Sequence, residues 1–262
     1  MTGPRQRRLV FGEVAEQYDR RRPSYPRAVF SDALAFSGYE DGERVLEVGA
    51  GTGKATAGLV AAGARVVALE PSTEMAAVAR RRFTGDDRVV IVDGTEFEQW
   101  PGDGDAFALL LAAQAWHWID PAVRLARAHE RLRTEGAVAL VWNQPHHPDT
   151  ELRHALDLAY DELGAATIGR FARGARPDGQ DVAIEELRGS SWFVGFELLE
   201  HRHSVDYDAV SYLELLDTHS DHRMMGPEEH DRLVERIGAL VDAAGGVTVD
   251  YCATTALART VS

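Results

Sequence analysis

Between residues 44 and 143, short apolar segments alternate with segments that have helical periodicity. The apolar segments are continuously hydrophobic, which is typical of strands buried on both faces of a parallel sheet. The predicted strands are Arg44–Gly49, Arg65–Glu70, Arg88–Asp93, Ala106–Ala113 and Ala137–Asn143. The predicted helices between them are Lys54–Ala62, Ser72–Phe83 and Pro121–Arg133. This order predicts an α/β fold with helices on both faces of a mostly parallel sheet.

After Gln144 this alternation stops. A loop is predicted over Pro145–Pro148, and the Gly-, Arg- and Ala-rich segment Gly164–Gln180 is predicted to be a flexible connection. The predicted helices of this part are Thr150–Leu163, Asp208–Thr218 and Pro227–Ala244. The predicted strands are Phe193–Val205 and Val247–Leu257, which bring the sheet to seven strands.

Composition excludes several classes of protein. The chain has 262 residues, and 28 Lys+Arg against 42 Asp+Glu give a net charge of −14, which repels phosphate backbones and anionic membranes. A single cysteine, Cys252, excludes an intrachain disulfide framework. The longest apolar run is far shorter than the ~20 residues of a membrane span, and no apolar segment follows the basic N-terminal residues. We therefore expect a cytoplasmic protein with neither a nucleic-acid nor a membrane partner.

The strongest local motif is the glycine-rich turn after the first predicted strand, Glu47-Val-Gly49-Ala-Gly51-Thr-Gly53-Lys54. Glycines at this place let the backbone turn tightly and approach a ligand. A P-loop needs a glycine where this chain has valine, and Ser or Thr where it has alanine. The dinucleotide motif G-x-G-x-x-G needs a third glycine where this chain has Lys54.

The segment VLEVGAGTG resembles motif I of the class I S-adenosylmethionine-dependent methyltransferases. The segment 114–118 (QAWHW) and the N-terminal pattern F-x3-A-x2-Y-x3-R-P-x-Y-P over residues 11–26 resemble the type 11 small-molecule group, which includes trans-aconitate methyltransferases. The resemblance covers residues 11–143 well and the C-terminal third only in its pattern. It implies a Rossmann-like class I methyltransferase fold, a seven-stranded sheet with a small helical cap. It also implies S-adenosylmethionine as donor and S-adenosylhomocysteine as product.

The resemblance also implies a set of donor-binding residues. Glu47 would lie near the methionine amine, Glu70 would accept hydrogen bonds from the ribose hydroxyls, and Asp93 would face the adenine amino group. The remaining members of this set are Gly49, Ala50, Gly51, Gly53, Pro71, Met75, Gly94, Thr95, Glu96, Ala113 and Gln114. Alternatives remain open: Glu70 as a solvated charge, Met75 as a core residue and Asp93 as a helix N-cap.

The fourth predicted strand ends at residues that could contact the methyl acceptor. Ligands of open α/β sheets bind beyond the carboxyl ends of the strands, which would bring Trp116, His117 and Trp118 near the methyl group. His117 could act as a general base for a hydroxyl or amine, or only position a carboxylate. The alternative is an aromatic cluster that covers the sheet. Met224 and Met225 could line an acceptor pocket or belong to the core.

The N-terminal arm supplies two further candidates by the same resemblance. Tyr18 and Arg22 would fold over the donor, with Arg22 pairing with its carboxylate. Arg21 competes for that role. The implied organisation has four parts, namely an arm and helix over the cofactor (1–43), a cofactor-binding core (44–144), a variable helical insertion (145–192), and strands and helices that complete the sheet and the acceptor pocket (193–262).

The histidines form no spaced metal-binding set, so no metal is expected, and they are interpreted as surface or loop residues. We expect methyl transfer to a small soluble acceptor, with a carboxylate or hydroxyl oxygen as the first prediction and nitrogen or carbon as the next. Two alternatives stay open: an adenosyl-binding module without catalysis, and an NAD-dependent oxidoreductase, which Lys54 and Glu47 disfavour. The oligomeric state is undetermined.

Overall fold

The computed structural model describes residues 15–102, 104, 106–146, 150–163, 165 and 179–261. The strands are β1 (Arg44–Val48), β2 (Arg65–Glu70), β3 (Val89–Asp93), β4 (Phe107–Ala113), β5 (Leu132–His146), β6 (Phe193–Tyr207) and β7 (Val247–Thr260). The helices are α1 (Ala15–Arg21), α2 (Arg27–Ser37), α3 (Lys54–Ala61), α4 (Thr73–Arg82), α5 (Arg124–Arg131), α6 (Glu151–Glu162), α7 (Gln180–Arg188), α8 (Ala209–Leu216), α9 (Ser220–Arg223) and α10 (Pro227–Ala243). Short 3₁₀ turns follow β3 (Phe97–Gln99) and β4 (Trp116–Trp118).

The strands form one seven-stranded sheet in the order β3-β2-β1-β4-β5-β7-β6. The pairs β1–β2, β2–β3, β1–β4 and β4–β5 are parallel, so their carboxyl ends lie at one edge. The strand order reverses between β1 and β4. In open α/β sheets this reversal is where ligands bind. The predicted Rossmann-like class I methyltransferase fold is confirmed.

The chain divides into two compact units, each described here by itself. The larger unit comprises residues 24–143, 178–201 and 253–262, and the smaller unit comprises residues 1–23, 144–177 and 202–252. The division passes through the long strands β5, β6 and β7. The four-part functional division expected from the sequence remains a prediction.

Two hydrophobic cores stabilise the larger unit, one on each face of the sheet. Residues of β1 alternate between them, since Leu46 packs in one core and Val45 in the other. The first core receives Ile184 and Leu187 from α7, and the second receives Phe30 from α2. Helices therefore cover both faces, as the hydrophobic strands required. The smaller unit has its own core, which includes Tyr160, Tyr212 and Ile237.

Several predicted boundaries are wrong. The predicted loop at Pro145 and His146 belongs to β5, because proline is tolerated near the end of a strand; residues 147–149 lie outside the described residues. The helix predicted over Pro121–Arg133 is shorter, since α5 begins only at Arg124. Most of the predicted flexible connection also lies outside the described residues, but Gln180 begins helix α7.

No helix in the described ranges combines the length and the apolar character that crossing a bilayer requires.

Candidate active site

The turn after β1, residues 49–53, is called the glycine loop below. Gly49, Gly51 and Gly53 have φ angles of +71°, +58° and +81°, which residues with a Cβ rarely adopt. The backbone N–H groups of Gly49 and Ala50 both donate to Leu69 O, at 2.9 and 3.0 Å. A Cβ on Gly49 would lie 2.4 Å from the Cβ of Ala115, so only glycine fits there. The loop is therefore held against the ends of β2 and β4.

Glu70 ends β2 and connects two backbone segments. Its Oε2 accepts a hydrogen bond from Gly51 N–H at 2.7 Å, and its Oε1 accepts one from Ser72 N–H at 2.8 Å. A carboxylate has about four lone-pair positions, so it can accept more than two hydrogen bonds. The alternative of a solvated strand-end charge does not fit, because Glu70 is buried.

Glu47 lies beneath the glycine loop and is 1% exposed. Burial raises the pKa of its carboxyl to about 8; the hydrogen bond from Thr56 Oγ1 at 2.6 Å opposes this rise, and the charge of Glu70 adds to it. The protonated form therefore predominates at neutral pH. A nearby cationic group, such as the methionine amine of the expected donor, would shift the balance towards the carboxylate.

The end of β3 lies beside the end of β2, where Asp93 is in register with Glu70. Asp93 forms an ion pair with Arg80 at 2.5 Å, and this hydrogen bond lowers the pKa of the Asp93 carboxyl. Gly94 has a φ of +63°, and its N–H donates to Glu70 O at 2.9 Å. This bond links the β3 turn to β2.

The other residues expected around the adenine have their own partners. Thr95 Oγ1 donates to Asp93 O at 3.2 Å, and Glu96 Oε2 accepts from Gln99 Nε2 at 3.2 Å. Met75 is buried in α4, and the Ser72 side chain accepts a hydrogen bond from its N–H, so Ser72 is the N-cap of that helix. The roles predicted for Pro71, Met75, Thr95 and Glu96 stay predictions.

The strand β4 ends in an unusual backbone conformation. Gln114 has a φ of +57°, a left-handed value that is costly for a residue with a side chain. Its N–H donates to Val141 O at 2.8 Å, and its Nε2 donates to Asn143 O at 2.9 Å. Such strained residues concentrate at functional sites, and no pattern in the sequence predicted this one.

The Trp116–Trp118 turn, called the WHW turn below, follows directly. His117 and Trp118 are partly exposed, with their ring centroids 4.7 Å apart. Trp116 is buried in the first core of the larger unit. The turn thus contains two partly exposed side chains, His117 and Trp118, and one core side chain, Trp116. The substrate contacts of all three residues stay predictions.

Helix α7 also contacts this region, and it is not among the helices predicted from the sequence. It packs against the WHW turn, and a Cβ on Gly179, its N-cap residue, would lie 3.6 Å from the Cβ of His117. The buried positions of α7 are Gln180, Ala183, Ile184 and Leu187, a helical spacing that was present in the sequence. The preceding Gly-rich segment masked that signal.

The predicted residues of the N-terminal arm and the two methionines lie in the smaller unit. The Arg22 guanidinium lies 5.3 Å from the Tyr18 ring centroid, and its Nη2 donates to Thr218 O at 3.1 Å. Arg21 forms an ion pair with Glu214, so it is engaged within this unit. Phe11, the first residue of the N-terminal pattern, lies outside the described residues. The donor contacts of Tyr18 and Arg22 stay predictions.

The methionines differ from each other. Met224 is 54% exposed, whereas Met225 packs against the core of the smaller unit. Among the histidines, His219 and His222 are buried. The expectation of surface or loop positions is wrong for His222, which lies in helix α9, whereas His219 lies in the loop between α8 and α9. His222 Nε2 lies 2.8 Å from the Tyr160 hydroxyl, and burial holds the pKa of His219 well below its usual range.

Comparisons with known proteins agree with this geometry. A family model described as a methyltransferase domain matches residues 45–136. A demethylmenaquinone methyltransferase from Clavibacter sepedonicus is 30% identical over 224 residues, which cover 76% of this chain and 85% of that protein. An uncharacterized methyltransferase from Mycobacterium tuberculosis is 41% identical over 135 residues, 52% of each chain, so the match spans about half the length of that relative.

Among solved structures, one described as a candidate type II methyltransferase from Anaeromyxobacter dehalogenans has a TM-score of 0.64 at 21% identity, covering 92% of this chain and 98% of that one. That likeness supports the fold. The relative from Clavibacter sepedonicus extends the sequence match well beyond the glycine loop. By its sequence and by its fold, the chain belongs to the class I S-adenosylmethionine-dependent methyltransferases.

Proposed function

We propose that this protein transfers a methyl group from S-adenosylmethionine to a small soluble acceptor, with a carboxylate or hydroxyl oxygen as the receiving atom. The observation that supports this most is the buried Glu70 carboxylate bonded to the glycine loop where the strand order reverses. The type 11 small-molecule group remains part of the proposal, on the QAWHW segment.

The residues of the glycine loop fit the proposed donor. A Cβ on Gly51 would meet no heavy atom within 4 Å, so the loop borders open space. The donor carries no phosphate, and this loop accordingly lacks the first glycine and the Ser/Thr hydroxyl of a P-loop. It does carry cationic groups, which suit the nearby Glu47 and Glu70. Glu70 would hold the ribose hydroxyls, and Asp93 and its neighbours would flank the adenine.

When bound, the donor supplies an activated methyl group on a sulfonium. In the transfer the sulfur–carbon bond breaks, its electron pair stays on sulfur, and an acceptor oxygen forms the new bond to carbon. The protein would contribute alignment and water exclusion, which together supply much of the rate. For a hydroxyl acceptor, His117 would take the proton, whereas for a carboxylate it would only position the substrate.

A second candidate is methylation of a ring carbon. It is supported by the relative from Clavibacter sepedonicus, whose name gives demethylmenaquinone as its substrate. Nitrogen acceptors and a non-catalytic adenosyl-binding module are the remaining alternatives. A nucleic-acid acceptor is disfavoured by the net charge of −14.

Thermal-shift measurements test the choice of cofactor. S-adenosylhomocysteine at 100 times its Kd should stabilise the protein by about 2.7 kcal/mol, and NAD should have no effect. A rise in Tm with NAD alone would contradict the proposal. Release of S-adenosylhomocysteine from the methyl donor across a panel of metabolites would then separate an enzyme from a non-catalytic module.

A further inference from the structure

Two buried polar atoms in the segments that adjoin His117 have no use in the methyl transfer proposed above. Gln180 is 2% exposed, and within the described ranges its Oε1 accepts no hydrogen bond. Trp116 is 1% exposed, and its indole N–H likewise donates to no described residue. Buried polar atoms are nearly always paired, because leaving one unpaired lowers stability. One unpaired acceptor and one unpaired donor here therefore require an explanation.

Both atoms belong to elements in direct contact. Gln180 is the first residue of α7, and the residue before it, Gly179, lies against His117. Trp116 is the first residue of the WHW turn, which packs against α7. The two atoms thus belong to the segments on either side of His117.

Arg124 fixes these elements together. Its guanidinium donates to Trp116 O at 3.0 Å, and its Nε donates to Glu186 Oε2 on α7 at 2.8 Å. It also lies over the Trp116 ring, 5.4 Å from the centroid. Arg124 is buried, so this connection between α5, the WHW turn and α7 is shielded from solvent. Arg124 thus holds the WHW turn and α7 in fixed positions, and this preorganisation favours the binding of a ligand.

We propose that Gln180 and Trp116 are positioning residues that recognise a hydroxyl group on the methyl acceptor. This inference rests on the proposed function. A hydroxyl can donate to Gln180 Oε1 and can accept from the Trp116 indole N–H, so this one kind of group offers both of the partners that the two atoms lack. An ionised carboxylate has no proton for Gln180 Oε1, and a hydrocarbon would leave both atoms unpaired. The site therefore selects hydroxyl-bearing acceptors, whichever atom receives the methyl group.

Thermal unfolding of the ligand-free protein tests the unpaired state of Gln180. Gln180→Met has a similar size and removes the polar atoms, so its Tm should rise by about 2–4 °C. Gln99→Met, at an exposed glutamine, is the control and should leave Tm within about 1 °C. An unchanged or lower Tm for Gln180→Met would mean that Oε1 is already paired, and would overturn the inference.

Binding of three size-matched probes tests the selectivity. The protein saturated with S-adenosylhomocysteine is titrated with phenol, toluene and benzoate, and the indole N–H signal that is absent in Trp116→Phe is followed by NMR. Phenol should bind at least 5-fold more tightly than the other two, and Gln180→Met should abolish this preference. Tighter binding of benzoate, equal binding of all three, or a preference that survives Gln180→Met would overturn the inference.

Calorimetry separates this inference from the proposed function. Gln180→Met should bind S-adenosylhomocysteine within about 2-fold of the unmodified protein, because Gln180 acts on the acceptor. Failure of the unmodified protein to bind S-adenosylhomocysteine would contradict the proposed function, and the Tm comparison would still decide whether Gln180 is unpaired.

Discussion

Two regions at the carboxyl edge of the sheet differ in how their buried polar groups are paired. On the donor side, defined by the glycine loop, Glu47 and Glu70, both carboxyls accept hydrogen bonds from nearby groups of the chain. On the acceptor side, defined by the WHW turn and the first turn of α7, Gln180 and Trp116 each keep one buried polar atom unpaired within the described residues. The two donor-side carboxyls thus have partners within the chain, whereas the Thr52 hydroxyl of the glycine loop and the two acceptor-side atoms have none among the described residues.

The difference follows from what each side must recognise. Every class I methyltransferase binds the same donor, so the donor site can use a short glycine-rich segment whose backbone hydrogen bonds are made within the protein. Acceptors differ among enzymes, and a selective site must carry polar groups that only the correct ligand satisfies. Unpaired groups reduce stability in the free protein but provide discrimination.

The largest effect should come from blocking the donor side. Gly51→Val places a branched side chain in the space next to the loop at a φ of +58°, and should weaken S-adenosylhomocysteine binding by about 1000-fold. Gly63→Val is the matched control, because Gly63 also has a positive φ and open space around it. Both variants should lose stability, but only Gly51→Val should lose binding in calorimetry. Equal binding by the two would show that the loop does not contact the donor.

Loosening the acceptor side should mainly reduce stability. Arg124→Leu leaves Glu186 and the Trp116 carbonyl without their buried partner, which should lower the free energy of unfolding by about 3 kcal/mol. Arg188→Leu removes an exposed ion pair with Glu185 on the same helix and should cost about 0.5 kcal/mol or less. Denaturant unfolding measures both. Similar losses for the two variants would show that Arg124 does not hold the WHW turn against α7.

Removing the proposed base should separate the two sides functionally. For a hydroxyl acceptor, His117→Ala should lower kcat by about 100-fold, while affinity for S-adenosylhomocysteine stays within about 2-fold. His154→Ala, at an exposed histidine of α6, should retain full turnover. Turnover with the best acceptor from a metabolite panel provides the readout. Full activity of His117→Ala would reduce the residue to a packing role.

A moderate effect is expected from the carboxylate at the end of β2. Glu70→Ala removes the acceptor for the ribose hydroxyls and should weaken S-adenosylhomocysteine binding by about 20-fold, equivalent to about 1.8 kcal/mol. Glu74→Ala, four residues further along, should bind normally. Calorimetry measures the affinity of both variants for S-adenosylhomocysteine. An unchanged affinity for Glu70→Ala would show that Glu70 does not recognise the ribose.

The last effect is a dependence of stability on pH. The pKa of Glu47 is raised from 4.5 to about 8 in the folded state, so the unfolded chain ionises first as pH rises. Stability should therefore fall by about 1.4 kcal/mol per pH unit between those two values, through this residue alone. Glu47→Gln should remove that part of the slope, and the exposed Glu228→Gln should not. An identical slope for Glu47→Gln would mean that Glu47 is ionised in the folded protein.

The same contrast explains what the sequence could predict. β2 was predicted with its observed boundaries, and β1 and β4 to within one residue, because continuous apolar runs are local signals. The glycine loop was equally readable, because Gly49, Gly51 and Gly53 are close in sequence and all need positive φ.

The acceptor side could not be predicted in the same way. The bond between Arg124 and Glu186 joins residues 62 positions apart, and the position of Gln180 next to the WHW turn depends on how α7 packs. The left-handed conformation of Gln114 accompanies hydrogen bonds from its side chain and its backbone to the neighbouring strand β5. None of these features has a local sequence signal.

A crystal structure of the complex with S-adenosylhomocysteine tests the central claim most directly. If the donor binds as proposed, electron density for the ligand should lie along the glycine loop, with the ribose hydroxyls about 2.6–3.0 Å from the carboxylate oxygens of Glu70. Density for the ligand elsewhere, or a glycine loop covered by the protein's own side chains, would contradict it.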